Sequence, residues 1–451
     1  MMAPVLASFN FADFARMLAD HWWSEFRDLG DWPWGTLESI AEYIDLFPIV
    51  VCLVWSIYGL NCLFGSFRRR TLPAVLPGYS VLIPFYAEPL GALRSAQSLS
   101  GVHPPPNEIL LIDDGSPETT EDILDEASLP PRTRVLRMPK NGGKAAALNA
   151  GLREAESDIV VCLDADTVVR SQDWREMLAR FASAPGVGAV TGKIWPAEAR
   201  TLPQLLQALD YLAVIGLVKN AEDRWGGIMT VSGAWVAFRR AALVGIGAWN
   251  EKTAAEDIDL SWRLQSAGWR IVYERSWIAL VEMVPTWSAL WRQRRRWSRG
   301  LGRAVREHFG GVLQQRATHL PVALITLLGA GWLWASLLTG VVRAASVATR
   351  LGRGEAVANS AIWSRAFVYV GICFAFFLLQ MLIATLLDRS RWWLYPKLFV
   401  LAPLYTIYFW GISLTTFVVG FPQGFFKRDR GQWRRTMRNS ELATGAPAEF
   451  I

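Results

Sequence analysis

An open, mostly parallel α/β sheet with helices on both faces, set between apolar helical segments, is the fold that this sequence predicts. Three observations lead there. Between Arg70 and about Gln315, short β-branched runs alternate with helix-periodic stretches, as in chains of βαβ units. Charge-free runs of bilayer length bracket that block, at residues 46–67 before it and at 320–342, 366–387 and 398–426 after it. Acidic pairs follow two of the candidate strands directly, where open α/β sheets bind their ligands.

Composition agrees. Of 451 residues, 52% are hydrophobic and 19% charged, which is apolar for a soluble chain. The 23 tryptophans suit a protein with much interfacial surface. The net charge of +6 fits anionic lipid or cytoplasmic anchoring better than nucleic acid, because the arginine cluster adjoins the membrane and no nucleic-acid module accompanies it. Cys52, Cys62 and Cys373 lie in apolar runs and Cys162 in a candidate strand, with no paired spacing for a zinc site.

In chain order, residues 1–45 carry Asp13, Arg16, Asp20, Glu25 and Arg27, which excludes a signal peptide and predicts an amphipathic interfacial segment. Residues 46–67 predict a transmembrane helix whose C-terminal end, at Arg68-Arg69-Arg70, faces the cytoplasm. The cytosolic block runs over 68–305 and an interfacial connector over 306–319. Its strands are expected at 79–83, 108–112, 133–138, 159–163, 187–191 and 269–273. Beyond the connector the count of spans stays open. If 320–342, 366–387 and 398–426 all cross, the basic tail 427–451 ends outside, against the positive-inside tendency. If 320–342 or 398–426 lies in the membrane plane or re-enters, the tail returns to the cytoplasm. Pro403 or the glycine-rich start of the first run would supply such a break.

Five motifs carry the chemistry. Asp113-Asp114-Gly115-Ser116 is either an ordinary Asp-Gly turn or a carboxylate site for a base and ribose. Asn141-Gly142-Gly143-Lys144 fails the Walker pattern, since Met138 and Ala145 stand where glycine and Ser/Thr belong. It still presents Lys144 at a helix start, where an anion is welcome. Asp164-Ala165-Asp166 ends the strand 159–163 with two carboxylates on one side, a hard-oxygen site for a divalent cation on phosphates. Glu256-Asp257 opens a helix, either as plain complements to its dipole or as adjacent acids that shift one another's pKa for base chemistry. Gln293-Arg294-Arg295-Arg296-Trp297 is either a lipid-facing basic helix or an arginine for a diphosphate beside an indole for a sugar face.

In this order and spacing the motifs resemble the processive family 2 glycosyltransferases of membranes, the synthases of cellulose, hyaluronan, chitin oligosaccharide and poly-N-acetylglucosamine. The resemblance covers 79–306 strongly, and the flanking spans in arrangement only. The segment from Val81 to Glu88 resembles the family's opening strand and loop. Val231-Ser232-Gly233-Ala234 resembles its acceptor segment, and Gln293, Arg296 and Trp297 match QxxRW, the mark of processive members. Ala255 replaces the usual threonine before Glu256-Asp257. Residues 255–270 and 285–300 are most similar to poly-β-1,6-N-acetylglucosamine synthases.

The resemblance implies a GT-A type, Rossmann-like mixed sheet and a metal-dependent, inverting transfer from a UDP-sugar donor, UDP-N-acetylglucosamine above others, to a polysaccharide acceptor. It implies Asp257 as catalytic base and Tyr86, Glu88, Asp113, Asp114, Lys144, Asp164 and Arg296 around the donor nucleotide. Asp166 with Asp164 would hold Mg2+ or Mn2+, and Ser232, Gly233, Glu256, Gln293 and Trp297 would meet the acceptor. It also implies a multi-pass protein of the bacterial inner membrane, its catalytic domain facing the cytoplasm, with a small membrane subunit as a further partner. Other outcomes of the same pattern are a different β-glycan, a lipid-carrier glycosyltransferase, or a membrane scaffold with an inactive domain.

Overall fold

The computed structural model describes residues 33–65, 72–117, 129–225, 227–253, 255–314, 360–387 and 395–426, with scattered helical positions between 331 and 352. The segment 1–32, most of the run 320–342 and the tail 427–451 lie outside the described residues. Two compact units divide the chain: 1–52 with 329–373, and 53–328 with 374–451. In its described residues the first is helical, and the boundary falls within the helices Pro33–Gly65 and Ser360–Leu387.

The second unit is built on one sheet. Its strands are β1 Tyr79–Phe85, β2 Glu108–Asp113, β3 Thr133–Arg137, β4 Ile159–Leu163, β5 Thr167–Val169, β6 Val187–Pro196, β7 Trp235–Arg239 and β8 Arg270–Val281. The spatial order is β3-β2-β1-β4-β7-β6-β8-β5. β1 and β4 are buried along their whole length because helices cover both faces, which is why they read as unbroken apolar runs. β3, at the edge, has no fully buried residue.

The parallel pairing of β1 with β2 sets Phe85 opposite Asp113, and its pairing with β4 sets Leu82 opposite Cys162. The carboxyl ends of β1, β2 and β4 therefore open on the same edge. Adjacent strands with crossovers to opposite sides make that edge the place for a ligand. One face packs on Trp174, Trp235 and Trp277, with Trp235 stacked on Trp277 at 3.9 Å between ring centres. The other packs on helices Lys144–Glu154 and Glu256–Ser266 through Leu148, Leu152, Leu260 and Leu264.

Two strands escape the sequence pattern. β5 has three residues, too few for a period, and β7 begins directly after the Val231–Ala234 segment. β7 runs antiparallel to both neighbours, so the sheet is mixed. β6 and β8 extend well past their expected ends, to Pro196 and Val281, because each pairs with the other through two register shifts. Such bulges break the alternation that a strand needs to be legible.

The helix over the first apolar run spans Pro33–Gly65, beginning well before residue 46. The last run is helical from Tyr395–Tyr408 through a π turn, Phe409–Leu414, to Thr415–Phe426, and Pro403 sits inside the first of these without ending it. Thr415–Phe426 lies close along the basic helix Trp287–Gln314. A methyl added at Gly420 would stand 2.7 Å from the Arg295 carbonyl oxygen, so only glycine permits this approach. Among the described residues, Leu202–Arg224 and Val370–Leu387 are long and apolar enough to cross a bilayer; the first is 62% buried within the protein, as a core helix is, and the second 22%.

Candidate active site

The edge where β1, β2 and β4 end gathers most of the motif residues. Asp114 is fully buried, and its two carboxylate oxygens accept the amides of Gly142 and Gly143, each at 2.8 Å. Burial raises this carboxyl while the two amides hold it down. Gly115 follows at φ +71°, and a Cβ there would meet the Lys140 backbone at 2.5 Å. Asp113 accepts the Ser116 amide at 2.8 Å and lies 3.9 Å from Arg137. Ser116 Oγ accepts the Ala87 amide at 2.8 Å, between half-buried Tyr86 and Glu88. Asp-Asp-Gly-Ser is thus a brace joining the loop after β1 to the Gly-Gly-Lys turn. Asp114 spends its carboxylate on backbone.

Lys144, first residue of its helix, is the node. Its Nζ lies 2.6 Å from Asp164 Oδ1 and 3.0 Å from Glu256 Oε1, and donates to the Gly233 carbonyl at 3.4 Å. Burial lowers the ammonium's pKa, but the two carboxylates outweigh it and the net shift is upward. One side chain thus draws together three segments that are far apart in the chain.

Asp164-Ala165-Asp166 turns between β4 and β5. Asp166 accepts the Thr167 hydroxyl at 3.0 Å and lines a cavity of about 170 Å³ together with Glu88, Arg94, Glu198 and Glu282. The turn is held from beneath by Ser95, whose buried hydroxyl reaches the carbonyls of Asp164, Ala165 and Thr167 at 3.2, 2.9 and 2.7 Å. No sequence signal distinguishes Ser95, because its role depends on a turn some seventy positions later. Gly91 leaves room for the Ala165 carbonyl, 2.8 Å from where a Cβ would be.

Glu256 and Asp257 open the helix Glu256–Ser266. Burial and the neighbouring Glu256 raise the Asp257 carboxyl. Glu256, although burial raises it too, is held below its ordinary value by Lys144 and Arg296. Adjacent acids pushed in opposite directions are what a base beside a permanent anion requires. Gly233 packs on Asp257: a Cβ at Gly233 would stand 3.0 Å from the Asp257 Cβ. Ser232 takes part in this turn, donating its amide to Thr191 Oγ1 at 3.0 Å and accepting the Lys219 ammonium at 2.6 Å. Lys219 is buried, and burial lowers its pKa against the opposing charges of Glu222 and Asp257. Its helix reads as ordinary amphipathic sequence, so nothing local marks it.

Arg296 acts by its charge on both Glu256 and Asp257, which places the basic helix Trp287–Gln314 beside the site. Gln293 and Trp297 are both half-buried, one helical turn apart on one face. The Arg294 guanidinium lies over the Trp297 ring, 4.5 Å from its centre. The two helices are clamped by Asp259, which meets Arg263 at 2.8 Å and His308 at 2.8 Å. Asp259, Glu307 and His308 have ligand atoms close enough for a cation. Glu307 is already paired with Arg303 and Arg306, however, so the cluster is an ion-pair network.

Comparison with known proteins shows what this chain is similar to. Residues 80–246 match the family model described as Glycosyl transferase family 2. A poly-beta-1,6-N-acetyl-D-glucosamine synthase of Staphylococcus epidermidis is 29% identical over 292 residues, 63% of this chain and 71% of that protein. A second S. epidermidis synthase of the same description is 30% identical over 268 residues, 58% of this chain. This chain spans 65% of that second protein, just under two thirds. In structure the chain is similar to a mannosyltransferase of Pyrobaculum calidifontis solved with GDP-Man and Mn2+. The TM-score is 0.54 at 20% identity, over 78% of this chain and 99% of that one. The fold is of the glycosyltransferase GT-A type.

Proposed function

We propose that this chain, whose residues 80–246 match the Glycosyl transferase family 2 model, is a processive, inverting polysaccharide synthase of the bacterial inner membrane. It transfers N-acetylglucosamine from UDP-N-acetylglucosamine to a growing β-linked polymer and passes the polymer through the bilayer. The observation that carries this reading is the convergence on Lys144 of Asp164, Glu256 and Gly233, with Asp257 packed on Gly233. Donor, base and acceptor segments thereby share one edge of the sheet.

The residues present fit a divalent cation. Asp164 and Asp166 offer hard carboxylate oxygens from one short turn whose backbone Ser95 holds rigid. Asp166 with Asp164 would hold Mg2+ or Mn2+, which when bound would neutralise charge on the donor diphosphate. Tyr86, Glu88 and Asp113 frame the uridine, while Asp114 acts through the Gly142-Gly143 backbone. Lys144 and Arg296 supply positive charge where the diphosphate leaves. Asp257, raised by burial and Glu256, takes the proton of the acceptor hydroxyl. The hydroxyl oxygen bonds to the anomeric carbon as the bond to the diphosphate breaks, and UDP departs with the electron pair. A single displacement turns an α-linked donor into a β-linked product. Ser232, Gly233, Glu256 and Gln293 border the acceptor, and Trp297 lies under its last sugar, where a ring stacks on C–H groups.

The apolar helices Pro33–Gly65, Ser360–Leu387, Tyr395–Tyr408 and Thr415–Phe426 supply the membrane setting, with a small membrane subunit as a further partner. Membranes containing the protein, incubated with separate radiolabelled UDP-sugars and digested with linkage-specific hydrolases, test the reading. A β-1,6-linked polymer from UDP-N-acetylglucosamine is expected. A polymer made only from UDP-glucose, or single-sugar products on a lipid carrier, would overturn it.

A further inference from the structure

We propose that Asp210 is a positioning residue that sets the plane of Trp297 through Arg294, and thereby governs how the enzyme holds its acceptor; the proposal rests on the acceptor role given to Trp297 above. Asp210 is buried, 6% exposed, and opens the π turn Asp210–Gly216. Its carboxylate accepts Arg294 Nη2 at 2.6 Å, the Tyr408 hydroxyl at 2.6 Å and the Tyr405 hydroxyl at 2.5 Å. Both tyrosines are buried too, on the apolar helix Tyr395–Tyr408. A contiguous chain therefore runs from that helix through Asp210 and Arg294 to Trp297.

The physics favours a positioning role over a purely stabilising one. A buried ion pair contributes little net stability against apolar residues of the same volume, whereas it fixes geometry well. An arginine side chain has many rotamers, so its plane is defined only if its head is held. Asp210 holds that head with one charge-assisted bond, and the two tyrosine hydroxyls in turn fix Asp210. The guanidinium then covers one face of the Trp297 indole, at 4.5 Å from the ring centre, and leaves the opposite face for a sugar. Without Asp210, Arg294 is free to leave that face and the indole to rotate. Arg294 and Asp210 pair with each other, whereas Lys144 pairs with Asp164 and Glu256. The effect should therefore fall on acceptor use.

The test compares wild type, Trp297→Ala, Tyr408→Phe, and Asp210→Asn combined with Arg294→Gln. The double variant removes both buried charges together, so neither is stranded. Membranes receive radiolabelled UDP-N-acetylglucosamine, and transfer to polymer is read separately from UDP release by hydrolysis. The double variant is expected to lower transfer about tenfold with a much smaller change in hydrolysis, the scale of one desolvated cation–π contact. Tyr408→Phe should fall between it and wild type. On the Trp297→Ala background the double variant should add less than about twofold, since its effect passes through that ring. Full transfer by the double variant, or an undiminished further loss on the Trp297→Ala background, overturns the role of Asp210 and leaves the acceptor reading standing. Unchanged transfer in Trp297→Ala alone removes the acceptor reading itself, and this proposal with it.

Discussion

Replacing Lys144 by methionine tests the node on which the site is assembled. The ammonium lies 2.6 Å from Asp164 and 3.0 Å from Glu256, and the three side chains are 16%, 25% and 13% exposed. Removing one partner of a fully buried pair costs about 3–5 kcal/mol. Here water reaches all three groups in part, so about 2–3 kcal/mol is expected, or a fall of roughly 5–10 °C in melting temperature. The second consequence concerns Asp257, the base proposed above. Lys144 pulls the Asp257 carboxyl down against burial and Glu256, which push it up. Without Lys144 the push is unopposed on that side, and Asp257 takes up its proton at a higher pH. Since only the ionised form accepts a proton, the acid limb of the rate profile should move to higher pH, and activity lost at neutral pH should partly return on raising it. Thermal unfolding in detergent and initial rates of UDP release across pH measure both effects. Lys144→Arg, which keeps a cation, should keep the acid limb. A methionine variant with unchanged melting and an unmoved limb would refute the account of Lys144 as the organising charge.

Asp257→Asn should lower polymer formation by about 10²–10⁴-fold while UDP binding, measured by calorimetry, stays within about twofold; wild-type polymerisation would remove Asp257 from the base role. Ser95→Ala takes away the buried hydroxyl shared by the Asp164, Ala165 and Thr167 carbonyls. It should cost about 1–3 kcal/mol and raise the Mn2+ concentration needed for half-maximal UDP release; an unchanged metal titration would show that the turn needs no such support. Gly115→Ala combines a φ of +71° with a Cβ 2.5 Å from the Lys140 backbone. It should destabilise by about 2 kcal/mol or more in denaturant titrations, and a neutral result would mean that the brace yields easily.

Much of the sheet was legible beforehand, for a definable reason. β1, β2 and β4 are buried on both faces, and the apolar runs of β2 and β4 end at carboxylates. Both signals lie within a few residues of one another. β7 was missed because it follows a turn-like Ser-Gly segment, and β5 because three residues carry no period. The far ends of β6 and β8 come from their mutual pairing, with bulges that erase alternation. Among the site residues, Asp113 and Asp114 look equivalent in sequence. Their partners separate them, since only Asp114 faces the Gly142 and Gly143 amides with both oxygens, while Asp113 accepts the Ser116 amide. Ser95, Lys219 and Asp210 carry no motif. Each became visible only as a buried polar group whose partners come from distant segments.

By itself the sequence determined the kinds of chemistry available and their order along the chain: carboxylates at strand ends, a lysine at a helix start, adjacent acids, and an arginine–tryptophan pair on a basic helix. These follow from local rules of strand burial and helix capping that act over a few positions. Only the tertiary structure decided which groups meet. Lys144 bonds to a carbonyl 89 positions away, and Tyr405 to a carboxylate 195 positions away. No local preference encodes such meetings. They exist because parallel strands joined by crossovers bring distant loops to one edge, and burial there makes an unpartnered charge too costly to leave alone.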